Sequence, residues 1–146
     1  MCGIIGYTNN VCNHQSVIEN MLQKISHRGP DDQGYYQDSK ITLGMRRLSI
    51  IDLDSGNQPL FNEDKSLILV FNGEIYNYQV LRAKLISLGH TFTTNSDSEV
   101  IIHGYEEYGN DIVNHLRGMF AFAIYNIHTK ALFIARDIFG IKPLFY

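Results

Sequence analysis

Leu67-Ile68-Leu69-Val70-Phe71 is apolar at every position, and this run constrains the architecture more than any other segment. A strand with water on one face alternates apolar and polar residues, so an unbroken run suits a strand covered on both faces. The elements around it narrow the choice. Residues 1–8 read as a short apolar strand, and His14 to Ser26 places Val17, Ile18, Met21, Leu22 and Ile25 at helical spacing. That helix must stop near His27-Arg28-Gly29-Pro30, and residues 27–34 have the composition of an exposed loop. Strand-like runs follow at 34–38, 41–45, 48–52 and 67–71. A helix is predicted from about Asn77 to Leu88, with Leu81, Leu85 and Leu88 on one side and Gly89 as its stop. Residues 90–94 read as a short strand, and Ser96-Asp97-Ser98-Glu99 matches a capping box that opens a helix over Val100 to Tyr108. Met119–Tyr125 and Ala131–Ala135 read as a hairpin turning at His128-Thr129, and Ile141 to Tyr146 is strand-like. Strands and helices segregated in this way suggest an α+β fold, sheet layered on sheet with helices outside.

Composition removes several function classes. The 146 residues fit one domain, long enough to bury roughly 70% of the unfolded surface without staples. Twelve Lys+Arg against fifteen Asp+Glu leave a net charge of −3, and no basic run exists to track a polyanion. Aromatic residues are plentiful but no basic patch interleaves with them, which argues against nucleic-acid stacking. No apolar run approaches the ~18 residues of a membrane span, and the first residues lack the build of a secretory signal. Two cysteines, Cys2 and Cys12, are too few for a disulfide framework, so a reducing cytoplasm is the expected compartment. The six histidines show no zinc-ligand spacing such as HxxxH, and no metal is expected.

Cys2 then carries the question of function. Met1 followed by a small residue favours removal of the initiator methionine, which would make Cys2 the first residue. A free thiol and a free α-amine both titrate near physiological pH, and an α-amine can act as base for its own side-chain nucleophile. By position alone, Cys2 reads first as a small buried apolar residue beginning a strand. Asn72-Gly73 taken alone reads as a hairpin turn, Glu74 as the decoration of a helix start, and Asp97 as a helix-start acid.

The motifs taken together say more. Cys2-Gly3-Ile4-Ile5-Gly6, His27-Arg28-Gly29-Pro30-Asp31, Arg47-Leu48-Ser49-Ile50-Ile51-Asp52, Asn72-Gly73-Glu74-Ile75-Tyr76-Asn77 and Ser96-Asp97-Ser98-Glu99 occur in this order. Gly118-Met119-Phe120-Ala121-Phe122-Ala123 and Arg136-Asp137 through Gly140-Ile141-Lys142-Pro143-Leu144 follow. The set resembles the glutaminase domain of class II glutamine amidotransferases, most of all that of the glutamine-hydrolysing asparagine synthetases, along the whole chain.

The resemblance implies a four-layer αββα sandwich of the N-terminal-nucleophile hydrolase type over residues 2–146. It implies that Cys2, freed of Met1, attacks the side-chain amide of glutamine with its own α-amine as base. Asn72 and Gly73 match the oxyanion hole. Arg47 matches the ligand of the substrate α-carboxylate, with the backbone of Leu48, Ser49, Ile50 and Ile51 as the pocket wall beside it. Glu74 and Asp97 match the groups that hold the α-ammonium. The segment around His27 and Arg28 is expected to lie near the pocket and help close it. Such a set suits a zwitterion, which needs a cation at one end and anions at the other.

Against the family pattern, the chain lacks strands beyond Lys142-Pro143 and has no ATP-binding synthetase domain, so it reads as cut short within its domain. The glutaminase reaction needs no cofactor; ATP and magnesium would belong to the absent synthetase part. The expected partners are L-glutamine and a synthetase domain or subunit, with a homodimer left open. Two other readings remain at this level: an amidotransferase domain serving a sugar or antibiotic precursor, and a non-catalytic glutamine-binding remnant.

Overall fold

The computed structural model describes residues 2–8, 12–48 and 56–146. Its elements are β1 (Gly3–Thr8), α1 (His14–Lys24), β2 (Asp32–Gln37), β3 (Ile41–Arg47), β4 (Leu60–Phe61), β5 (Leu67–Ile75), α2 (Tyr78–Ser87), α3 (Glu99–Tyr108), α4 (Ile112–His115), β6 (Gly118–Asn126) and β7 (Leu132–Arg136). The strands form two antiparallel sheets, one ordered β1-β3-β2 and the other β4-β5-β6-β7.

Side-chain alternation along each strand sorts the core into two parts. Ile41, Leu43 and Met45 of β3 meet Ile68 and Val70 of β5 and Ala123 and Tyr125 of β6 in one buried cluster between the sheets. The other face of β5, with Leu67, Leu69, Phe71 and Ile75, packs with Phe120, Phe122 and Ile124 of β6 against Leu81 and Leu85 of α2 and Val100 to Ile102 of α3. The apolar run of β5 is thus covered on both faces, as its composition requires. On the far side of the first sheet, Gly44 leaves room for Ile18 and Leu22, the two buried residues of α1. No helix among the described residues is long and apolar enough to cross a membrane.

Several expectations change. β5 runs four residues past Phe71, because Asn72 to Ile75 continue the ladder against Ala121 to Gly118 of β6; Asn72-Gly73 is therefore not a hairpin turn. β2 begins at Asp32, inside the expected loop, because its polar edge pairs with Arg47 and Arg46 of β3. Of the strand expected at 48–52, Leu48 lies outside any strand and 49–52 fall outside the described residues. Residues 90–94 form no strand. Their amide donors go to side chains instead: Thr91 to Glu63, and Thr93 and Thr94 to Glu99. With Glu99 so engaged the capping box does not form, and Ser96 Oγ accepts from the Ser98 amide. Ile141 to Tyr146 is not a strand either. The carboxylate of Asp137 accepts the amides of Phe139, Ile141 and Lys142, winding the chain around itself, and Pro143 has no N–H to give a ladder. Leu88 is half exposed, since α2 ends before it, with Gly89 at φ 106° turning the chain away. The short β4 and α4 have no counterpart in the sequence reading.

Candidate active site

One end of the inter-sheet layer is polar. β5 presents Ile68 and Val70 to that layer, so the same alternation delivers Asn72 and Glu74 to it two and four residues later. β3 does likewise: after Ile41, Leu43 and Met45 comes Arg47. β1 is antiparallel to β3 with Gly3 opposite Arg46, which brings Cys2 beside the end of the same strand. These side chains, with Leu48, Gly73 and Asp97, line one open cleft.

Cys2 is half-buried and held on both sides. The Leu48 amide donates to Sγ at 3.3 Å, and the thiol donates to the Leu48 carbonyl at 3.6 Å. Arg28 Nε donates to the Cys2 carbonyl at 3.1 Å, so the loop before β2 reaches the nucleophile's own backbone. Gly29 is packed against the backbone of Arg46 and Arg47, where a Cβ would collide, and the Asp31 amide bonds the Arg47 carbonyl at 3.1 Å. His27 is exposed. Cys12 is exposed and is not among the residues lining the cleft.

Arg47 is 4% exposed and donates from Nη1 to Asn57 Oδ1 at 2.9 Å. Across the cleft Asn72 is buried and Gly73 half-buried. Asp97 is buried, and its Oδ2 accepts the Ile75 amide at 2.7 Å, which fixes the loop before α3 to the end of β5. Burial pushes the Asp97 carboxyl above its ordinary range, and the neighbouring Glu74 charge adds to the rise despite the amide bonds that oppose it. A pair of carboxylates in this state favours a cationic group beside it. Met1, Ser49, Ile50 and Ile51 lie outside the described residues.

The cleft also holds residues that the sequence reading did not place in it. Ser96 and Ser98 flank Asp97, their hydroxyls 2.6 Å apart, and Gln58 receives the Phe71 amide at 2.7 Å. Lys142 lines the cleft at 2% exposure, its amide held at 3.0 Å by Asp137. One signal pointed to it: Lys142 is the single charged residue between Ile138 and Tyr146.

Solved structures share the fold. Glutamine phosphoribosylpyrophosphate amidotransferase from Bacillus subtilis superposes with a TM-score of 0.72 at 22% identity, over 93% of this chain and 36% of that one. A structure titled as the allosteric regulatory enzyme of purine biosynthesis gives 0.61 at 27% identity, over 73% and 25%. The α+β architecture is therefore that of the class II glutamine amidotransferases. The family profile described as "Glutamine amidotransferase domain" matches residues 1–146, and the chain belongs to that family. Among curated relatives, "Asparagine synthetase [glutamine-hydrolyzing] 1" of Bacillus subtilis is 48% identical over all of this chain and 24% of its own length. The probable asparagine synthetase of Dictyostelium discoideum is 44% identical over 99% and 27%. The chain spans about a quarter of the length of these relatives.

Proposed function

We propose that residues 2–146 are the glutaminase part of a glutamine-hydrolysing asparagine synthetase, built on a four-layer αββα sandwich of the N-terminal-nucleophile hydrolase type. The observation that carries this reading is the convergence of Cys2, Arg47, Asn72, Gly73, Glu74 and Asp97 on one cleft. The names of the relatives supply the substrate class.

The arrangement suits glutamine end to end. Arg47 takes the α-carboxylate through its planar guanidinium, and Glu74 with Asp97 takes the α-ammonium. The side-chain amide then lies toward Cys2. With Met1 removed, the Cys2 α-amine accepts the thiol proton as sulfur bonds to the amide carbon. The carbonyl oxygen becomes an oxyanion, stabilised by the Asn72 side-chain amide and the Gly73 N–H. Collapse of this intermediate breaks the C–N bond; the proton held by the amine goes to the leaving nitrogen, and ammonia departs. The γ-glutamyl thioester left on Cys2 is hydrolysed by water, which restores the thiol and frees glutamate. Every group in these steps is a protein group or water, so no metal or nucleotide takes part. The ammonia serves amidation of aspartate in a synthetase domain or subunit, where ATP is used.

The test is glutamate release from glutamine by the wild-type chain and by Cys2→Ala. The variant should bind glutamine with no detectable hydrolysis. Hydrolysis retained in Cys2→Ala would refute the assignment of the nucleophile.

A further inference from the structure

Away from the cleft, four side chains from three separate segments turn their ligand atoms toward one point. Glu63 follows β4, His90 follows α2, and His103 and Glu106 lie on α3; one ligand atom from each falls within 4.8 Å of all the others. His103 Nδ1 stands 3.1 Å from Glu106 Oε2 and 3.4 Å from Glu63 Oε2. His90 Nδ1 stands 3.6 Å from Glu106 Oε2 and 3.6 Å from Glu63 Oε1. A zinc ion bound tetrahedrally at ~2.0–2.2 Å requires its nitrogen and oxygen ligands about 3.3–3.6 Å apart. The four histidine–glutamate distances run from 3.1 to 3.6 Å, within a set that needs only a small contraction from its 4.8 Å limit to close on an ion.

The surroundings of the two imidazoles point the same way. His90 Nε2 is held by Glu107 at 2.9 Å and His103 Nε2 by Glu99 at 3.4 Å. A carboxylate on the outer ring nitrogen fixes the tautomer and leaves Nδ1 as the lone-pair donor, the usual arrangement behind a metal-bound histidine. The carboxylates are themselves oriented. Asn62 donates to Glu106 Oε1 at 2.7 Å, leaving Oε2 for the cluster, and the Thr91 amide donates to Glu63 at 3.0 Å. Thr93 and Thr94 hold Glu99 through both their amides and their hydroxyls. Four carboxylates thus surround two imidazoles, and no lysine or arginine among the described residues pairs with them.

We propose that Glu63, His90, His103 and Glu106 form a structural site for a divalent transition-metal ion, with zinc the ion the donor set fits best. Two imidazoles and two carboxylates make a borderline-hard set, and four protein ligands close a tetrahedron with no open position for substrate. The ion ties α3 to the segment after β4 and to the segment after α2. The second of these runs on to Asp97, so the site steadies one wall of the cleft without entering its chemistry. Reading ligand spacing along single segments could not reveal it, because His90 and His103 come from different elements.

The test is titration calorimetry of Zn²⁺ into the metal-stripped chain carrying Cys2→Ser and Cys12→Ser, which removes the thiols as competing ligands. The expected result is one equivalent bound in the micromolar range or tighter. His90→Ala and Glu106→Gln should each weaken it by more than about 100-fold, and Glu107→Gln, which removes only the carboxylate behind His90, by about 10–100-fold. His90 and Glu106 are partly exposed, and circular dichroism of the stripped variants verifies that they remain folded. Co²⁺ in place of Zn²⁺ should give the intense visible bands of tetrahedral coordination. Absence of micromolar binding overturns the proposal, as does affinity unchanged in the folded His90→Ala and Glu106→Gln variants.

Discussion

At position 73 a Cβ would collide with the Met119 carbonyl oxygen and crowd the Phe120 backbone, so β5 can carry only glycine there. Gly73→Ala must push β5 from β6, and loss of glutamine hydrolysis together with a lowered Tm is the expected outcome of assay and thermal melt. Asn72→Ala keeps the backbone, and should lower kcat by about 10²–10³ with little change in KM, because an oxyanion donor acts chiefly in the transition state. Asp97 behaves differently. Its carboxyl is raised by burial and by Glu74, so folded-state stability is lost as the pH rises from the ordinary carboxyl value to the raised one and stays lost above it. Asp97→Asn should therefore leave Tm unchanged or higher at pH 7 while raising KM for glutamine at least tenfold. In the wild type, glutamine affinity should fall on acidification at a higher pH than an ordinary aspartate would give. A KM that is flat in Asp97→Asn would remove this residue from the ammonium site.

Among the elements, β5 shows how far sequence pattern reaches. Its apolar run announced a strand covered on both faces, yet the site residues Asn72 to Glu74 lie on the same strand beyond the run, where polarity suggested a turn. The ladder to β6, a long-range pairing invisible to local pattern, keeps them extended. The segment before α3 makes the converse point. A β-rich composition at 90–94 gave way because Glu63 and Glu99 supply acceptors for its amides. Motif residues were legible because they lie in short contiguous words; Gln58 lies in none of these, and Ser96, Ser98 and Lys142, although inside such words, are shown to line the cleft only by the fold. The turn between β2 and β3 offers a test of sheet-to-sheet attachment. Burial alone would raise Asp38, but the amides of Lys40 and Ile41, the Tyr125 hydroxyl and Lys130 lower it to about 2. Its contribution to stability is full above the ordinary value and is lost as pH falls toward 2, about 2 kcal/mol in all. Asp38→Asn should lose that amount in urea unfolding at pH 7, and the difference from wild type should shrink by pH 3. An equal deficit at both pH values would contradict the linkage.

For the whole molecule, the polar end of the layer between two sheets is where the proposed chemistry sits. The first sheet brings Cys2 and Arg47, the second brings Asn72, Gly73 and Glu74, and the loop before α3 brings Asp97. Neither sheet holds the set alone, so activity should vanish with any loss of sheet-to-sheet packing and should not survive in fragments. The most direct measurement is the intact mass of the purified chain before and after exposure to a diazoketone analogue of glutamine, with the modified residue located by peptide mapping. The account predicts a chain lacking Met1 that gains one adduct, on Cys2, and loses that adduct when excess glutamine protects it. A chain that retains Met1, or one that is processed and stays unlabelled, would contradict it.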